Sequence, residues 1–242
     1  MTEAPLEPAL LSGDAKRSYV RGMFTAIAPR YDLLNHLLSL NIDRGWRRRA
    51  IARLGWEASP AGMFLDACAG TLDLAAELAD RPGFRGKVTG ADFVMPMLRL
   101  GRDKAAVLRP VGADTLRLPF GDAVFDGATV GFGIRNLVDV DAGFAELRRV
   151  LRRGARLVVL DFALPTAGPA RALYLFYFRR VLPLIGRLVS KHTDAYSYLP
   201  DSVLQFPTPD ALAARMRAAG FADVRFERLT LGIVAVHWGT AA

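Results

Sequence analysis

The chain has 242 residues, 52% of them hydrophobic and 23% charged, with 32 Lys and Arg against 24 Asp and Glu for a formal net charge of +8. That length suits one domain with a substantial core, and a single cysteine excludes an internal disulfide. Cys68 and the three histidines, His36, His192 and His237, are too far apart in sequence for a zinc finger, so no metal site is expected. The positive balance leaves nucleic acid and an anionic membrane surface as candidate partners.

The N-terminal part of the chain predicts a flexible leader followed by a helical cap. Residues 1–16 lack apolar periodicity, and they have neither the basic start nor the apolar run of a signal peptide. Between residues 17 and 56, apolar side chains recur at the spacing of amphipathic helices. The apolar stretch 172–189 is interrupted by arginines and a proline, so it does not predict a membrane-spanning helix. We therefore expect a cytoplasmic protein.

Beyond the cap, short β-rich runs alternate with amphipathic helical segments, which is typical of a parallel sheet covered by helices on both faces. The predicted strands are residues 62–67, 87–91, 127–132, 156–162, 224–229 and 232–238. The predicted helices are residues 74–79, 95–106, 142–151 and 209–219. Residues 17–242 are thus expected to form one doubly wound α/β domain, with a helical and loop insert for the substrate at residues 169–208.

Acidic residues follow three consecutive units of this pattern, at the sheet edge where open α/β folds bind their ligands. Asp66 lies at the end of the first predicted strand, Asp92 follows the second, and Asp114 lies in the next segment. An acid after the second strand is typical of a site for ribose hydroxyls, and Asp114 is placed to accept from an adenine amino group. Each acid alone could equally be a helix cap or a turn former, but together they favour a nucleoside cofactor.

The turn between Asp66 and Asp73 indicates which nucleoside is bound. It has neither the G-x-G-x-x-G of a dinucleotide site nor the G-K-[ST] of a P-loop, both of which admit phosphates. Acids beside a turn repel phosphates and attract cations. S-adenosylmethionine (SAM), which carries an ammonium and a sulfonium, satisfies this charge pattern, and the small residues of the turn let a ligand approach the backbone.

Several short motifs occur along the chain. Residues 31–35 read YDLLN and precede Ser39 and Trp46, residues 132–136 read FGIRN, and residues 149–151 read RVL. The C-terminal part adds Tyr196, Tyr198, Ser202, Phe206, Pro207, Gly232 and His237. These motifs resemble those of the class I SAM-dependent methyltransferases, and among them the ubiquinone/menaquinone biosynthesis C-methyltransferases. The resemblance implies a Rossmann-like fold whose central, mostly parallel sheet has seven strands, with helices on both faces and an N-terminal helical cap.

The resemblance also implies a SAM site and a neighbouring substrate site. The residues expected to bind the cofactor are Tyr31, Asp66, Ala69, Gly70, Thr71, Asp73, Asp92, Phe93, Asp114, Thr115 and Phe132. Those expected to contact the substrate are Asn35, Tyr198 and His237, for each of which core packing is the alternative. His237 ends a predicted strand and is also a candidate base.

The implied reaction is methylation of a ring carbon in a polyprenylated quinol, either demethylmenaquinol or the equivalent ubiquinone precursor. Such a carbon attacks only when the neighbouring phenol, with a pKa of about 10, loses its proton. A cation beside the oxygen, or a base acting through water, promotes that ionisation. We expect Arg135 to be the cation and Asn136 to orient the ring by a hydrogen bond. The alternative for Arg135 is a structural salt bridge at a strand end.

Some residues depart from the family pattern. The family's cofactor loop reads D-x-x-G-G-T-G-D, and this chain has Ala69 and Leu72 in place of two of its glycines. We expect Leu72 to place a branched side chain beside the methionine moiety of SAM. Elsewhere, Asp43 replaces a histidine and Ala163 replaces a serine. These departures leave two alternatives open, a methyltransferase of another phenolic or terpenoid molecule and a catalytically inactive scaffold.

The insert carries a basic helical face. Arg179, Arg180, Arg187 and Lys191 fall on one side of a helix, opposite leucines, which suits an anionic membrane surface where a lipid quinol would be collected. A cover for the substrate pocket and a homodimer contact are the alternatives for this basic face.

The sequence has no RNA-binding motif or separate basic domain, so nucleic acid is not expected as a partner. We therefore expect peripheral contact with the inner face of the cytoplasmic membrane.

Overall fold

The computed structural model describes residues 11–166, 168–176, 180 and 194–242. The strands are β1 (Met63–Ala67), β2 (Lys87–Asp92), β3 (Leu108–Gly112), β4 (Phe125–Gly131), β5 (Leu151–Phe162), β6 (Phe221–Leu229) and β7 (Val234–Ala241). The helices are α1 (Gly13–Ile27), α2 (Tyr31–Leu38), α3 (Ile42–Leu54), α4 (Asp73–Ala79), α5 (Met95–Gly101), α6 (Val140–Val150), α7 (Gly168–Phe176), α8 (Asp194–Gln205) and α9 (Pro209–Ala218).

The seven strands form one sheet in the order β3-β2-β1-β4-β5-β7-β6, which confirms the predicted fold class. β1 pairs in parallel with β2 and with β4, and the pairs β2–β3 and β4–β5 are parallel as well. β7 runs antiparallel to both of its neighbours, β5 and β6. The winding of the chain reverses between β1 and β4, and open α/β sheets bind ligands beyond the carboxyl ends of the strands at such a point.

Helices cover both faces of the sheet because its central strands are apolar on both sides. Residues 158–160 of β5 (Val-Val-Leu) have no exposed surface, an uninterrupted apolar run that is typical of a buried parallel strand. On one face, the core includes Leu147 of α6 and Met216 of α9. On the other face, it includes Ile51 of α3 and Leu78 of α4.

Some element boundaries differ from the sequence predictions. α1 begins at Gly13, so the predicted leader at 1–16 is wrong in its last residues, while residues 1–10 lie outside the described part of the chain. β3 is not among the predicted strands, because its exposed Arg109 and its Pro110 interrupt the apolar pattern of this edge strand. The predicted helix at 95–106 ends earlier, at Gly101, since the chain must then turn into β3.

The insert at 169–208 is described in part. α7 and α8 lie within it, whereas Arg179, Arg187 and Lys191 of the predicted basic face lie outside the described residues. In the ranges that the structure describes, no helix combines the length and the apolar character needed to cross a membrane.

The predicted N-terminal cap consists of α1, α2 and α3. Trp46 of α3 donates from Nε1 to the Thr230 hydroxyl at 2.8 Å, and its ring lies 6.2 Å from the ring of Phe132, just after β4. Lys16 of α1 donates from Nζ to the carbonyl of Leu137 at 2.7 Å. The cap is therefore joined to the sheet domain beside the carboxyl end of β4, next to the point where the winding reverses.

Candidate active site

A cleft lies between the cap and the turns that follow β1 and β4. It is lined by Tyr31, Arg47, Asp66, Cys68, Ala69, Gly70, Thr71, Asp73, Leu74, Gly131 and Phe132. Most of the residues predicted to bind the cofactor belong to this lining. Of the others, Asp92 ends β2 and Phe93 follows it, while Asp114 and Thr115 follow β3.

The turn after β1 is built on left-handed backbone conformations. Cys68, Gly70 and Leu72 have φ values of 51°, 52° and 65°. Glycine adopts this conformation freely, whereas a leucine is strained there. Burial of the Leu72 side chain compensates for this backbone strain. The side chain has no exposed surface and packs into the core against Gly90. The prediction that Leu72 lies beside the methionine moiety is therefore wrong, since this side chain packs in the core and not in the cleft.

Asp66, at the carboxyl end of β1, is a buried acid of the cleft. Its carboxylate accepts hydrogen bonds from the Ala75 N–H at 3.2 Å and from the Thr129 hydroxyl at 2.8 Å. Burial raises the pKa of Asp66 to about 7, against the effect of these two hydrogen bonds, and the charges of Asp73 and Asp92 raise it further. Near neutral pH the carboxyl is therefore divided between its charged and neutral forms, and a bound cation would favour the charged one.

Asp92 is fixed at the carboxyl end of β2. Its two oxygens accept hydrogen bonds from the backbone N–H groups of Gly70 and Val94, each at 2.8 Å. Burial raises the pKa of Asp92, and the backbone hydrogen bonds act in the opposite direction. Phe93 packs against Val94 and the cap residue Ala28. The carboxylate thus holds the turn after β1 and still has acceptor capacity, because each oxygen has two lone pairs.

Asp114 and Thr115 follow β3 at the same edge of the sheet. Asp114 accepts a hydrogen bond from the Leu116 N–H at 2.9 Å and forms an ion pair with Arg17 of α1, also at 2.9 Å. Thr115 is buried, and its hydroxyl lies 3.3 Å from Cys68 Sγ. The three predicted acids therefore lie at the carboxyl ends of three adjacent parallel strands.

Arg135 lies in a short helical turn after β4. Its Nη1 donates to Asp161 Oδ1 and to the carbonyl of Phe132, both at 2.6 Å, and 7% of its side chain is exposed. The structure thus forms the salt bridge that was the alternative for Arg135. The Nε has no hydrogen-bond partner among the described residues, so one buried donor remains for a ligand or a water molecule.

Asn136 is held between the backbone and a tyrosine. Its Oδ1 accepts from the Tyr198 hydroxyl at 3.1 Å, and its Nδ2 donates to the carbonyl of Phe132 at 3.4 Å. Burial raises the pKa of Tyr198, while the charge of Arg135 lowers it. The structure therefore brings the two predicted catalytic residues and one predicted substrate residue into a single cluster.

His237 lies elsewhere. It is inside β7 and not at its end, where it pairs with Val159 and Phe226. Its side chain is buried, with Nε2 at 2.9 Å from the carbonyl oxygen of Pro209. Burial lowers the pKa of His237 to about 4. The structure does not bring His237 to the cleft, in contrast to its predicted place beside the substrate.

A network of ion pairs joins the cap to the turn after β1, and the sequence did not reveal it. Asp73 pairs with Arg47 of α3 at 2.9 Å and also with Lys104. Lys104 pairs in addition with Asp32 of α2 at 2.9 Å. Asp32 in turn accepts a hydrogen bond from the Thr71 hydroxyl at 2.5 Å. Asp73 is therefore neutralised by two cations, in contrast to the free acid that the sequence suggests.

Tyr31 and Asn35 act together on the cap side. Tyr31 lines the cleft, and its side chain is hydrogen-bonded to Asn35 one helical turn later. Burial raises the pKa of Tyr31, while that hydrogen bond and the charges of Arg135 and Arg47 lower it. Asn35 thus supports Tyr31, a residue of the cleft lining.

Arg47 is a residue of the cleft lining that the sequence analysis did not name. The one feature of the sequence that points to it is its position directly after Trp46 of the first motif.

The sheet order and the acid-lined cleft at the reversal between β1 and β4 together define the class, a Rossmann-like methyltransferase fold. A solved structure of a SAM-dependent methyltransferase from Thermotoga maritima has this fold, with a TM-score of 0.66 and 17% sequence identity. The match covers 91% of this chain and 99% of that chain.

Sequence comparison identifies the group within this class. The model of the ubiE/COQ5 methyltransferase family matches residues 12–241, and the chain belongs to that family. The demethylmenaquinone methyltransferase of Thermus thermophilus is 50% identical over 222 residues, which cover 90% of this chain and 99% of the relative. The ubiquinone/menaquinone biosynthesis C-methyltransferase UbiE of Geobacter sp. (strain M21) is 47% identical over 231 residues, which cover 93% and 97%. The family predicted from the motifs is confirmed.

Proposed function

We propose that the chain transfers a methyl group from SAM to a ring carbon of a polyprenylated quinol, with demethylmenaquinol or the equivalent ubiquinone precursor as the acceptor. The observation that carries this proposal is a cleft of carboxylates at the β1–β4 reversal, beside the cluster of Arg135, Asn136 and Tyr198. The printed names of the relatives from Thermus thermophilus and Geobacter sp. support the acceptor class.

The residues of the cleft fit SAM in charge. Asp66 is a carboxyl whose charged form a bound cation would favour, whereas a phosphate would be repelled by it. Gly70 leaves the turn without a side chain where a ligand approaches the backbone. Asp92 would accept from the ribose hydroxyls, and Asp114 from the adenine amino group. SAM itself supplies a methyl group bound to a sulfonium, which a carbon nucleophile can accept.

The cluster after β4 would act on the acceptor. The free Nε of Arg135 would donate a hydrogen bond to the phenolate oxygen as it forms. Because Asp161 already neutralises much of the guanidinium charge, Arg135 would act by a directed hydrogen bond more than by net charge. Asn136, held by the Tyr198 hydroxyl, would orient the ring. The phenol proton would leave to water, and the methylated ring carbon would lose its own proton to water as the ring becomes aromatic again.

A titration of the protein with S-adenosylhomocysteine tests this proposal. We expect micromolar binding, weakened about 100-fold or more in Asp92→Ala, because the hydrogen bond that fixes the turn after β1 is lost together with the ribose contact. Asp103→Ala, at an exposed acid beyond α5, is the matched control and should bind normally. Mass spectrometry of demethylmenaquinol incubated with SAM and the protein should then detect the methylated product. Absence of binding contradicts the cofactor, and binding without quinol methylation contradicts the acceptor.

We further propose that the protein contacts an anionic membrane in order to collect its lipid substrate. Leu33 and Leu37 of α2 and Leu40 after it are exposed, and Leu40 exposes 78% of its surface. Exposed basic residues, Arg44 and Arg48, follow on α3. Apolar side chains beside basic ones favour binding at a bilayer surface, and the net charge of +8 adds attraction to anionic lipid.

Co-sedimentation with vesicles tests the membrane proposal. We expect binding to vesicles of mixed phosphatidylcholine and phosphatidylglycerol, weaker binding to phosphatidylcholine alone, and a clear loss in the double variant Leu37→Ser, Leu40→Ser. Leu100→Ser, at an exposed leucine of α5, is the matched control. Equal sedimentation with both lipids, unaffected by the double variant, would rule out this surface.

A further inference from the structure

The cofactor residues named above leave one group of SAM without a partner. The amino-acid end of SAM carries a carboxylate as well as an ammonium. The cleft has an acid at Asp66, which suits the ammonium. A carboxylate that enters the same partly buried space requires a positively charged donor, because an unpaired buried anion is strongly disfavoured.

Arg47 is the cation among the described residues that line the cleft. Its side chain is 8% exposed, its Nη1 pairs with Asp43, and its Nη2 pairs with Asp73 at 2.9 Å. Burial alone would lower the pKa of Arg47, but the carboxylates of Asp73 and Asp43 outweigh it and the pKa is raised. Arg47 therefore keeps its charge at the edge of the cleft.

The two ion pairs leave Arg47 with unused hydrogen-bond donors. A guanidinium has five N–H groups in a planar fork that matches a carboxylate, and each Nη here uses one donor in its ion pair. Asp43 and Asp73 hold the guanidinium in place from both sides, so little side-chain freedom is lost when a ligand binds. Lys104 shares the charge of Asp73, which leaves part of the Arg47 charge for another anion.

We propose that Arg47 binds the α-carboxylate of SAM, an assignment that rests on the proposed function. Arg47 comes from α3 of the cap, whereas Asp92 and Asp114 come from the sheet edge. The amino-acid end of the cofactor would thus be the part that joins the cap to the sheet domain.

Calorimetric titration with two ligands that differ in the carboxylate alone tests the assignment. The ligands are S-adenosylhomocysteine and its decarboxylated analogue, 5′-S-(3-aminopropyl)-5′-thioadenosine. We expect Arg47→Met to weaken the first about 10- to 100-fold and the second less than about threefold. Arg47→Lys should recover part of the loss, since it keeps the charge without the fork. Arg53→Lys, on the same helix and paired with Glu227 at 2.9 Å, is the matched control and should change neither.

Equal weakening of both ligands by Arg47→Met would overturn the assignment, because it would limit Arg47 to holding the cap through Asp43 and Asp73. Unchanged binding of both ligands would overturn it as well. Retained binding of the decarboxylated analogue shows that the variant is folded. If the wild-type protein binds neither ligand, the proposed function itself fails, and that result is distinguishable from a loss confined to the variant.

Discussion

The two sides of the cleft are held together by different interactions. On the sheet side, Asp66 and Asp92 are buried and accept hydrogen bonds from backbone N–H groups. At the contact between the cap and the sheet domain, Lys104 pairs with Asp32 of α2, and 25% of the Lys104 side chain is exposed. Buried backbone hydrogen bonds are little affected by salt, whereas partly exposed ion pairs are screened and contribute little net stability.

This difference indicates a preformed sheet side and a helix α2 of the cap that can open, because α3 is packed into the core of the sheet domain through Ile51. A cofactor that lies under the cap must enter past it, and the side-chain ion pairs are the interactions that can break at low cost. The hydrogen bond from the Gly70 N–H to Asp92 keeps the turn after β1 in place meanwhile. Three variants sharpen this comparison, in order of decreasing effect.

The largest expected effect is on stability, from Leu72→Gly on the sheet side. Removing a fully buried leucine costs about 2–5 kcal/mol, and relief of the left-handed strain returns about 1 kcal/mol. We expect denaturant titration to give a free energy of unfolding lower by about 1–4 kcal/mol, with less than about a threefold change in the affinity for S-adenosylhomocysteine. Leu78→Ala, in the same core, is the matched control. A large gain in ligand affinity would mean that Leu72 obstructs the cleft after all.

An effect of intermediate size is expected from pH, which should change the affinity for SAM through the ionisation of Asp66. The pKa of Asp66 is about 7, and a cationic ligand binds its ionised form, so the affinity for SAM should increase on the order of tenfold from pH 5.5 to pH 7. The α-amino group of SAM stays protonated over this range. Calorimetry at several pH values measures the slope, and Asp66→Asn should flatten it. A wild-type affinity that is constant or falls with increasing pH would argue against this role.

The smallest effect is expected where the sheet domain meets α2 of the cap, from Lys104→Ala. Loss of its ion pairs with Asp32 and Asp73 should let the cap open more often. We expect the dissociation rate of S-adenosylhomocysteine in stopped-flow experiments to increase about two- to fivefold, as it should for the wild type in high salt. Arg102→Ala, whose partner Asp103 is also exposed, is the control. An unchanged rate in both conditions would exclude the ion pairs as the closure.

The sheet side of the site could be predicted from the sequence because its signals are local. Asp66 and Asp92 each end a short β-rich run, and the parallel pairing of β1 with β2 brings the ends of those runs together.

At Leu72 the sequence predicts an unusual turn but not the direction of the side chain. The motif marks the missing glycine, but whether the replacing side chain points to the core or to the cleft depends on Gly90, which lies on another strand.

The cap side could not be predicted in the same way, because its partners are distant in sequence. Asp32 and Lys104 are 72 positions apart, and Arg47 meets Asp73 from a different helix.

The predicted position of His237, at the end of a strand, differs from the observed one because the strand is longer than predicted. The last strand extends to Ala241, so a residue predicted at its end lies in its interior.

The aromatic contacts of the cap have an optical consequence. The indole ring of Trp46, next to Arg47 in the chain, is largely buried and lies close to Phe132 of the cleft lining. Its Nε1 is hydrogen-bonded to Thr230, so the environment of this fluorophore depends on how α3 sits against the sheet domain. The emission of Trp46 is therefore a built-in reporter of the contact between α3 and the sheet domain, and Trp46→Phe provides the blank that separates it from Trp56 and Trp238.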